Sequence, residues 1–180
     1  MAKAKELPSQ KELNEMLDYY PETGDLVWRR RKDRDSQWNG RLAGKVAGTH
    51  HHCGYVRIHV NNKVFQAHRI IWALAYGSIP TDRQVDHING DGFDNRLCNL
   101  RLVTNRQNQL NRSADKGRKF KGVYKKGTGF KAEITHEGER IYIGYFKSEI
   151  KAAIEYDKKA RELHGKYARL NFDNVEALSA

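Results

Sequence analysis

Cysteine is nearly absent from this chain of 180 residues, with Cys53 and Cys98 as its only two. They stand far apart and form no C-x-x-C pair, so neither a disulfide framework nor a structural zinc is expected. Long apolar runs are missing too. No stretch approaches the length of a bilayer span, and the opening Met1-Ala-Lys-Ala-Lys-Glu lacks the apolar segment of an export signal. A soluble, reduced, intracellular protein without membrane contact is the expectation. Apolar residues make up only 38% of the chain, which suits two small modules better than one large core. Internal repeats and low-complexity segments are absent as well.

Basic charge is what the chain has in excess. Lys and Arg number 33 against 22 Asp and Glu, a formal net charge of +11, and the cations sit beside aromatics throughout instead of forming one tail. Such a surface serves solubility alone in some proteins, but it also fits a polyanion, of which DNA or RNA is the natural one.

Leu13, Met16 and Leu17 recur at helical spacing and predict a short helix over 10–17, ended by Pro21 and Gly24. Leu26-Val27-Trp28 reads as a strand, and the polar, glycine-dotted stretch from Asp33 to His52 as a loop. The His50-His51-His52-Cys53 cluster belongs to that loop. Residues 54–60 alternate with period two, Asn61-Asn62 supplies turn residues, and 63–67 resumes the extended pattern, which predicts a hairpin. His68 to Tyr76 reads as a buried helix closed by Gly77.

The densest chemistry follows. Val85-Asp86-His87-Ile88 is strand-like, Asn89 to Asn95 is a loop, Leu100 to Val103 is strand-like again, and Thr104 is placed to cap a helix carrying Asn105, Asn108 and Asn111. A hairpin and helix of this kind can bring Asp86 and Asn108 to one metal ion. Both offer oxygen, which suits Mg2+ or Mn2+ better than zinc. His87, with an ordinary pKa of about 6.5, can act as a neutral general base, facing water across the phosphate from the strand face opposite Asp86. Asn99 can bridge the loop and fix the imidazole. Taken singly, Asp86 and Asn89 also serve as turn formers, a lone histidine as packing, and Asn99 or Asn108 as caps. Their joint order and spacing carry the nuclease reading.

Asp86-His87, Asn99, Asn108, and the strings Asn-Gly-Asp, Asp-Asn-Arg and Asn-Leu-Arg-x-Val-Thr resemble the HNH endonucleases, and specifically a homing-type subgroup ending in Asn. The likeness spans roughly residues 54–112 and includes Ala67-His68-Arg69. It implies a ββα-metal core in which Asp86 and Asn108 bind one divalent cation, His87 is the base and Asn99 positions it. His68 and Arg69 are candidates for phosphate contact. It also implies 5′-phosphate and 3′-hydroxyl products and a phage or mobile-element origin, hence a host cytoplasm.

Beyond a basic stretch containing Arg112, Lys116, Arg118 and Lys119, three short strands and a helix starting near Ser148 are predicted. Gly122-Val123, Ala132-Glu133-Ile134, Gly144-Tyr145-Phe146, Ala152-Ala153, Tyr156-Asp157 and Leu170-Asn171-Phe172 resemble the Apetala-two/ethylene-response-factor DNA-binding domain, whose sheet lies in the major groove. The sheet is expected to offer Lys121, Tyr124, Lys125, Lys126, Lys131, Arg140 and Tyr142 to DNA, with Arg112 and Lys119 following the backbone. Tyr124 and Gly127-Thr128-Gly129-Phe130-Lys131 depart from the plant pattern, so base specificity is not carried over.

The expected fold class is α+β: a ββα-metal module with an N-terminal β-hairpin and helices, plus a small three-stranded antiparallel sheet packed on one helix. The expected domains are a nuclease domain over 1–112 with its core motif at 84–112, a basic linker over 113–119, the reading module over 120–173 and a tail over 174–180. The expected activity is nicking of duplex DNA by a monomer with no obligate protein partner. A DNA-binding regulator with a vestigial nuclease and a structured-RNA binder are the competing readings.

Overall fold

The structure, a computed structural model, describes residues 5–115 and 117–172. Residues 1–4, Lys116 of the basic stretch, Asp173 and the tail expected over 174–180 lie outside the described residues. The fold is α+β, built from small antiparallel sheets and short helices. Contacts divide it into two compact units, Met1–Asn105 and Arg106–Ala180. Among the described residues, no helix is long and apolar enough to cross a membrane.

In the first unit, helix α1 (Gln10–Met16) opens on a reciprocal cap. The Ser9 hydroxyl accepts from Glu12 N at 3.2 Å, and the Glu12 carboxylate accepts from Ser9 N at 2.8 Å. Leu17 is not the end of this helix. It begins strand β1 (Leu17–Tyr20), which pairs with β2 (Asp25–Trp28) across a turn that uses Gly24 at φ +81°. A Cβ on Gly24 would stand 2.7 Å from the backbone of Asn95 and Arg96, so the turn must be glycine to seat against that loop.

The stretch expected as a loop over 33–52 holds helix α2 (Ser36–Leu42) and strand β3 (Thr49–His51). Asp35 caps α2 by accepting from Trp38 N, and the buried side chain of Asn39 bonds both N and O of Arg31 at 2.8 Å. A polar residue thus does the inward work, which hides the helix from an apolar-periodicity reading. The predicted hairpin is present as β4 (Tyr55–Val60) and β5 (Lys63–Gln66), joined by Asn61 and Asn62 at φ 47° and 60°, and β3 extends it to three strands.

Helix α3 (Ala67–Tyr76) follows directly and ends at Gly77. Leu13, Leu17, Ile58, Val60, Ile70 and Ile71 form the fully buried centre of this unit. Each contributes about 1.5–3 kcal/mol by leaving water. Strands β6 (Gln84–His87) and β7 (Leu100–Val103) pair antiparallel at the edge of this core, with Asp86 opposite Arg101 and His87 opposite Leu100. Helix α4 (Asn105–Leu110) comes next, so the chain runs strand, loop, strand, helix through the predicted core motif.

In the second unit, β8 (Val123–Lys126), β9 (Gly129–His136) and β10 (Glu139–Phe146) form an antiparallel sheet ordered β10-β9-β8. Helix α5 (Glu149–His164) is capped by Ser148 and buries Ala152, Ala153, Tyr156, Asp157 and Ala160. Val123 and Ala132 pack with Ala152 and Ala153, and Ile134 with Tyr156 and Ala160. A Cβ on Gly122 would lie 2.0 Å from the Tyr156 ring, which explains the glycine before Val123.

The division between the units falls within α4, ahead of the expected domain end at 112. Its last turn is held by the second unit: Lys121 Nζ and Arg169 N both donate to Leu110 O, at 2.6 and 3.4 Å, and Arg106 pairs with Glu137 at 3.1 Å.

Candidate active site and nucleic-acid interface

Asp86 and His87 occupy consecutive positions on β6, so their side chains leave opposite faces of the strand. Both are buried, at 8% and 4% exposure. His87 is thus enclosed by its neighbours. The Tyr55 ring lies 5.9 Å from its imidazole, and the His68 ring stands edge-on at 4.8 Å.

The imidazole is held by Asn95, whose position in a run of turn formers announces only a loop. His87 Nε2 lies 3.1 Å from Asn95 Oδ1, and Asn95 Nδ2 donates to Phe93 O at 3.2 Å. The second bond orients the amide with its oxygen toward the histidine. An amide oxygen only accepts, so Nε2 carries a proton in this contact.

Asn99 acts one step further back than expected. Its Oδ1 accepts from Asn89 N at 3.0 Å, while Nδ2 donates to Asn89 Oδ1 at 3.0 Å and to Asp94 O at 2.8 Å. These bonds brace the loop that presents Asn95. The same loop is held from outside by Tyr19, whose hydroxyl accepts from Leu97 N at 2.9 Å and donates to Asn95 O at 3.3 Å. Asp91 and Asp94 shape it locally. Arg96 donates to both oxygens of Asp94 at 2.8 Å, and this pairing holds the Asp94 carboxyl down to about 2. Gly92 closes the loop against the β3–β4 hairpin, where a Cβ would meet Gly54 O at 2.1 Å.

Asp86 is paired across the hairpin with Arg101, whose Nε and Nη2 each lie 3.0 Å from Oδ2. Asn108 lies on α4, in the other unit. Among the described residues, no group of three or more His, Cys, Asp and Glu is arranged to hold a metal. The half-buried His51 and the exposed Cys53 pair at 3.0 Å, and His50 stacks on Phe93 at 4.4 Å, so this histidine cluster is held in place where a loop was expected.

His68 and Arg69 are not poised as expected for a phosphate. His68 is 5% exposed, and burial, reinforced by His87 and Arg69, drives its pKa down to about 3. Arg69 is half-buried, its Nη2 donating to Lys5 O at 3.1 Å. The neutral His68 has a consequence for stability. Protons bind it in the unfolded chain near pH 6.5 but in the folded chain only near 3, so its contribution is present above 6.5 and is lost as pH falls toward 3. Between neutrality and pH 5 the loss should reach about 2 kcal/mol. A urea titration at both pH values should show this, and His68→Gln should flatten the difference. An equal pH dependence in that variant would contradict the assignment.

In the second unit, register places Tyr124 beside Lys131 and Lys131 beside Tyr145, with Tyr142 beside Glu133 and Arg140 beside Thr135. These residues share the face opposite the one packed on α5. Lys126 belongs to the same face, whereas Lys125 pairs with Phe130 and has the other parity although it is exposed. Tyr124 lies between two cations, Arg118 at 4.3 Å and Lys131 at 5.2 Å from its ring. Arg140 and Tyr142 are exposed, as are Arg112 and Lys119. Lys121 departs from expectation. Its ammonium is spent on Leu110 O, and burial, aided by Arg169 and Arg112, brings its pKa down to about 8. Tyr145, 48% exposed, joins the face unannounced.

A sequence model of the HNH endonuclease family matches residues 65–110. The uncharacterized HNH endonuclease L560 of Acanthamoeba polyphaga mimivirus is 38% identical over 108 residues, covering 59% of this chain and 57% of that protein. Protein 3.8 of Escherichia phage T7 is 30% identical over 113 residues, covering 59% of this chain and 91% of that protein. The solved structure of the HNH homing endonuclease I-HmuI, which describes DNA binding and cleavage by that protein, is similar at a TM-score of 0.42 with 24% identity. That likeness covers 58% of this chain and 56% of I-HmuI. The chain spans little more than half the length of the mimivirus relative and of I-HmuI. The family match falls on the residues that form β6, β7 and α4, and with the two viral relatives it establishes that this chain belongs to the HNH endonuclease family.

Proposed function

We propose that this protein is a divalent-metal-dependent DNA endonuclease of the homing type, nicking duplex DNA as a monomer to leave 5′-phosphate and 3′-hydroxyl ends. The observation that carries the reading is the His87 imidazole, held through Nε2 by Asn95 and next in the strand to the Asp86 carboxylate. His87 takes a proton from the attacking water at Nδ1, while the Asn95 contact on Nε2 orients the ring. Asp86 and Asn108 are the ligands the family pattern assigns to the cation. Their carboxylate and amide oxygens are hard donors that fit Mg2+ or Mn2+. Such an ion, when bound, stabilises the charge that develops on the phosphate and the leaving oxygen.

The second unit serves as an ethylene-response-factor-like reading module. Tyr124, Lys126, Lys131, Arg140, Tyr142 and Tyr145 share one sheet face of cations and aromatics suited to duplex DNA, while Lys125, Arg112 and Lys119 add peripheral charge. Tethering raises the effective concentration of the cutting unit at sites the module prefers. A phage or mobile-element origin accords with the viral relatives.

Supercoiled plasmid incubated with the protein and Mg2+ or Mn2+ should convert to nicked circle, and chelator should stop it. His87→Ala should slow the conversion about 10²–10⁴-fold. Absence of metal-dependent nicking on every long duplex tried would leave the regulator reading in its place.

A further inference from the structure

Lys121, Tyr156, Arg112 and Arg118 line one cleft of about 410 Å³ within the second unit. We infer that this cleft takes the aldehyde sugar of an abasic site in duplex DNA and joins it to Lys121 as an imine. The inference rests on the reading of the second unit as a DNA-binding module.

The amine sets the class of ligand. Lys121 lies just before β8, where its Nζ donates to Leu110 O at 2.6 Å and forms no salt bridge among the described residues. Burial, together with the charges of Arg169 and Arg112, which outweigh Asp115, brings its pKa down to about 8. About a tenth of the amine is then neutral at pH 7, over a hundredfold more than for an ordinary lysine. A neutral amine keeps an N–H for Leu110 O while its lone pair is available to attack a carbonyl carbon.

Tyr156 supplies an acid. It is only 3% exposed yet lines the same cleft, and its hydroxyl makes no hydrogen bond among the described residues. Burial pushes the pKa of that hydroxyl up, so it stays protonated and able to donate. Gly122, next to Lys121, packs so closely on the Tyr156 ring that a Cβ would stand 2.0 Å from it, which sets the lysine's backbone beside the tyrosine. Arg112 and Arg118 complete the outline of the ligand. Arg112 is exposed with no carboxylate partner among the described residues, and Arg118 reaches the cleft paired with Asp115. Guanidinium groups beside a reactive amine suit an aldehyde flanked by phosphates, and the ring-opened sugar of an abasic nucleotide is one.

The step balances without an oxidant or reductant. Lys121 Nζ attacks C1′, and the aldehyde oxygen takes a proton from the Tyr156 hydroxyl to give a carbinolamine. That oxygen leaves as water, and a C=N bond replaces C=O. Both hydrogens of the water come from the amine, one of them returned through Tyr156.

The test incubates full-length protein with a duplex carrying one abasic site, made by excising a uracil, together with cyanoborohydride and a chelator that stops metal-dependent cleavage. The reductant converts the imine to a stable amine. A covalent adduct should appear on a denaturing gel, form faster as pH rises through about 8, and map by peptide mass spectrometry to Lys121. Lys121→Arg keeps a donor for Leu110 O but forms no imine, and should lower the adduct about tenfold or more. Tyr156→Phe keeps the ring and should slow the reaction about tenfold. A duplex with a tetrahydrofuran analogue, which has no aldehyde, should bind without forming an adduct. Exchange of Arg140 and Tyr142 for alanine on the sheet face should weaken binding of every duplex. If it does, and the adduct maps to other amines, the inference alone is overturned. If duplex affinity is unmoved by that exchange, the DNA-binding reading of this unit is overturned and the inference with it. Should Lys121→Arg lose its circular dichroism signature, the mapped site in the native protein decides.

Discussion

Asp157→Ala should cost the second unit about 3–5 kcal/mol, enough to unfold a module of this size or leave it marginal. Asp157 is fully buried within α5. Its carboxylate accepts from Asn171 N at 2.8 and 3.0 Å, from Asn171 Nδ2 at 3.0 Å and from Phe172 N at 2.9 Å. Burial pushes the carboxyl above its ordinary range, and these donors pull it back. Alanine leaves the backbone N–H groups of Asn171 and Phe172 without their acceptor and empties the volume of a buried carboxylate. The damage also spreads to the sheet. Asn171 uses its own amide to bond both N and O of Lys121, at 2.7 and 3.2 Å, so the carboxylate fixes the clamp that holds the entry to β8. Two-step urea unfolding, followed by tryptophan fluorescence for the first unit and far-ultraviolet circular dichroism for the whole, should show the second transition move to much lower urea while the first stays. All three tryptophans, Trp28, Trp38 and Trp72, lie in the first unit, so the two signals separate. Affinity for a long duplex should fall in parallel, with a shallower salt dependence as the cations of the sheet face lose their arrangement. A variant with an unshifted second transition would show that Asp157 is not the keystone of that unit.

Much of the fold is legible in the sequence where local chemistry and tertiary packing agree. The hairpin at 55–66 announces itself because period-two alternation meets an Asn-Asn turn, and both asparagines adopt the positive φ such a turn needs. Helix α5 does so because Ser148 caps it and small residues repeat along its buried face. Legibility fails where a polar residue does the packing or where a contact depends on loop closure. Helix α2 turns Asn39 inward, and its one apolar pair, Trp38 and Leu42, is too short a pattern to announce a helix. Strand β1 is hidden because Leu17 continues the helical spacing of Leu13 and Met16 before its backbone turns extended. At the site, the placement of Asp86 and His87 together on a strand opposite Leu100–Val103 is readable from alternation. The division of labour between Asn95 and Asn99 is not. Both are asparagines in a loop of turn formers, and only the closed loop shows that Asn99 faces Asn89 and Asp94 while Asn95 faces the imidazole. Arg101 is equally silent, since an arginine in a strand reads as a solvated face until its cross-strand partner is known.

Asn95→Ala should lower the cleavage rate about 10²–10³-fold while leaving the protein folded. His87 Nε2 has its acceptor in Asn95 Oδ1, and the ring sits in a pocket almost closed to water. Without that acceptor, the imidazole gains by moving its proton to Nδ1 or by rotating toward another partner, and either change removes the lone pair that should take the proton from water. The loss falls on the base itself, because Asp86 and its Arg101 partner lie on the opposite face of β6. Mn2+ affinity should therefore change little, which separates positioning from general collapse of the site. Nitrogen-15 spectra of labelled histidine should show His87 with its proton on Nε2 in the native protein and a shifted or mixed tautomer in the variant. Asn95→Asp keeps an acceptor on Nε2 and should recover part of the lost rate, although it gives up the donor to Phe93 O that orients the native amide. A folded Asn95→Ala protein that nicks at the native rate would mean that His87 is oriented by some other group. A lost rate with an unchanged tautomer would assign Asn95 to loop architecture, beside Asn99, and not to the imidazole.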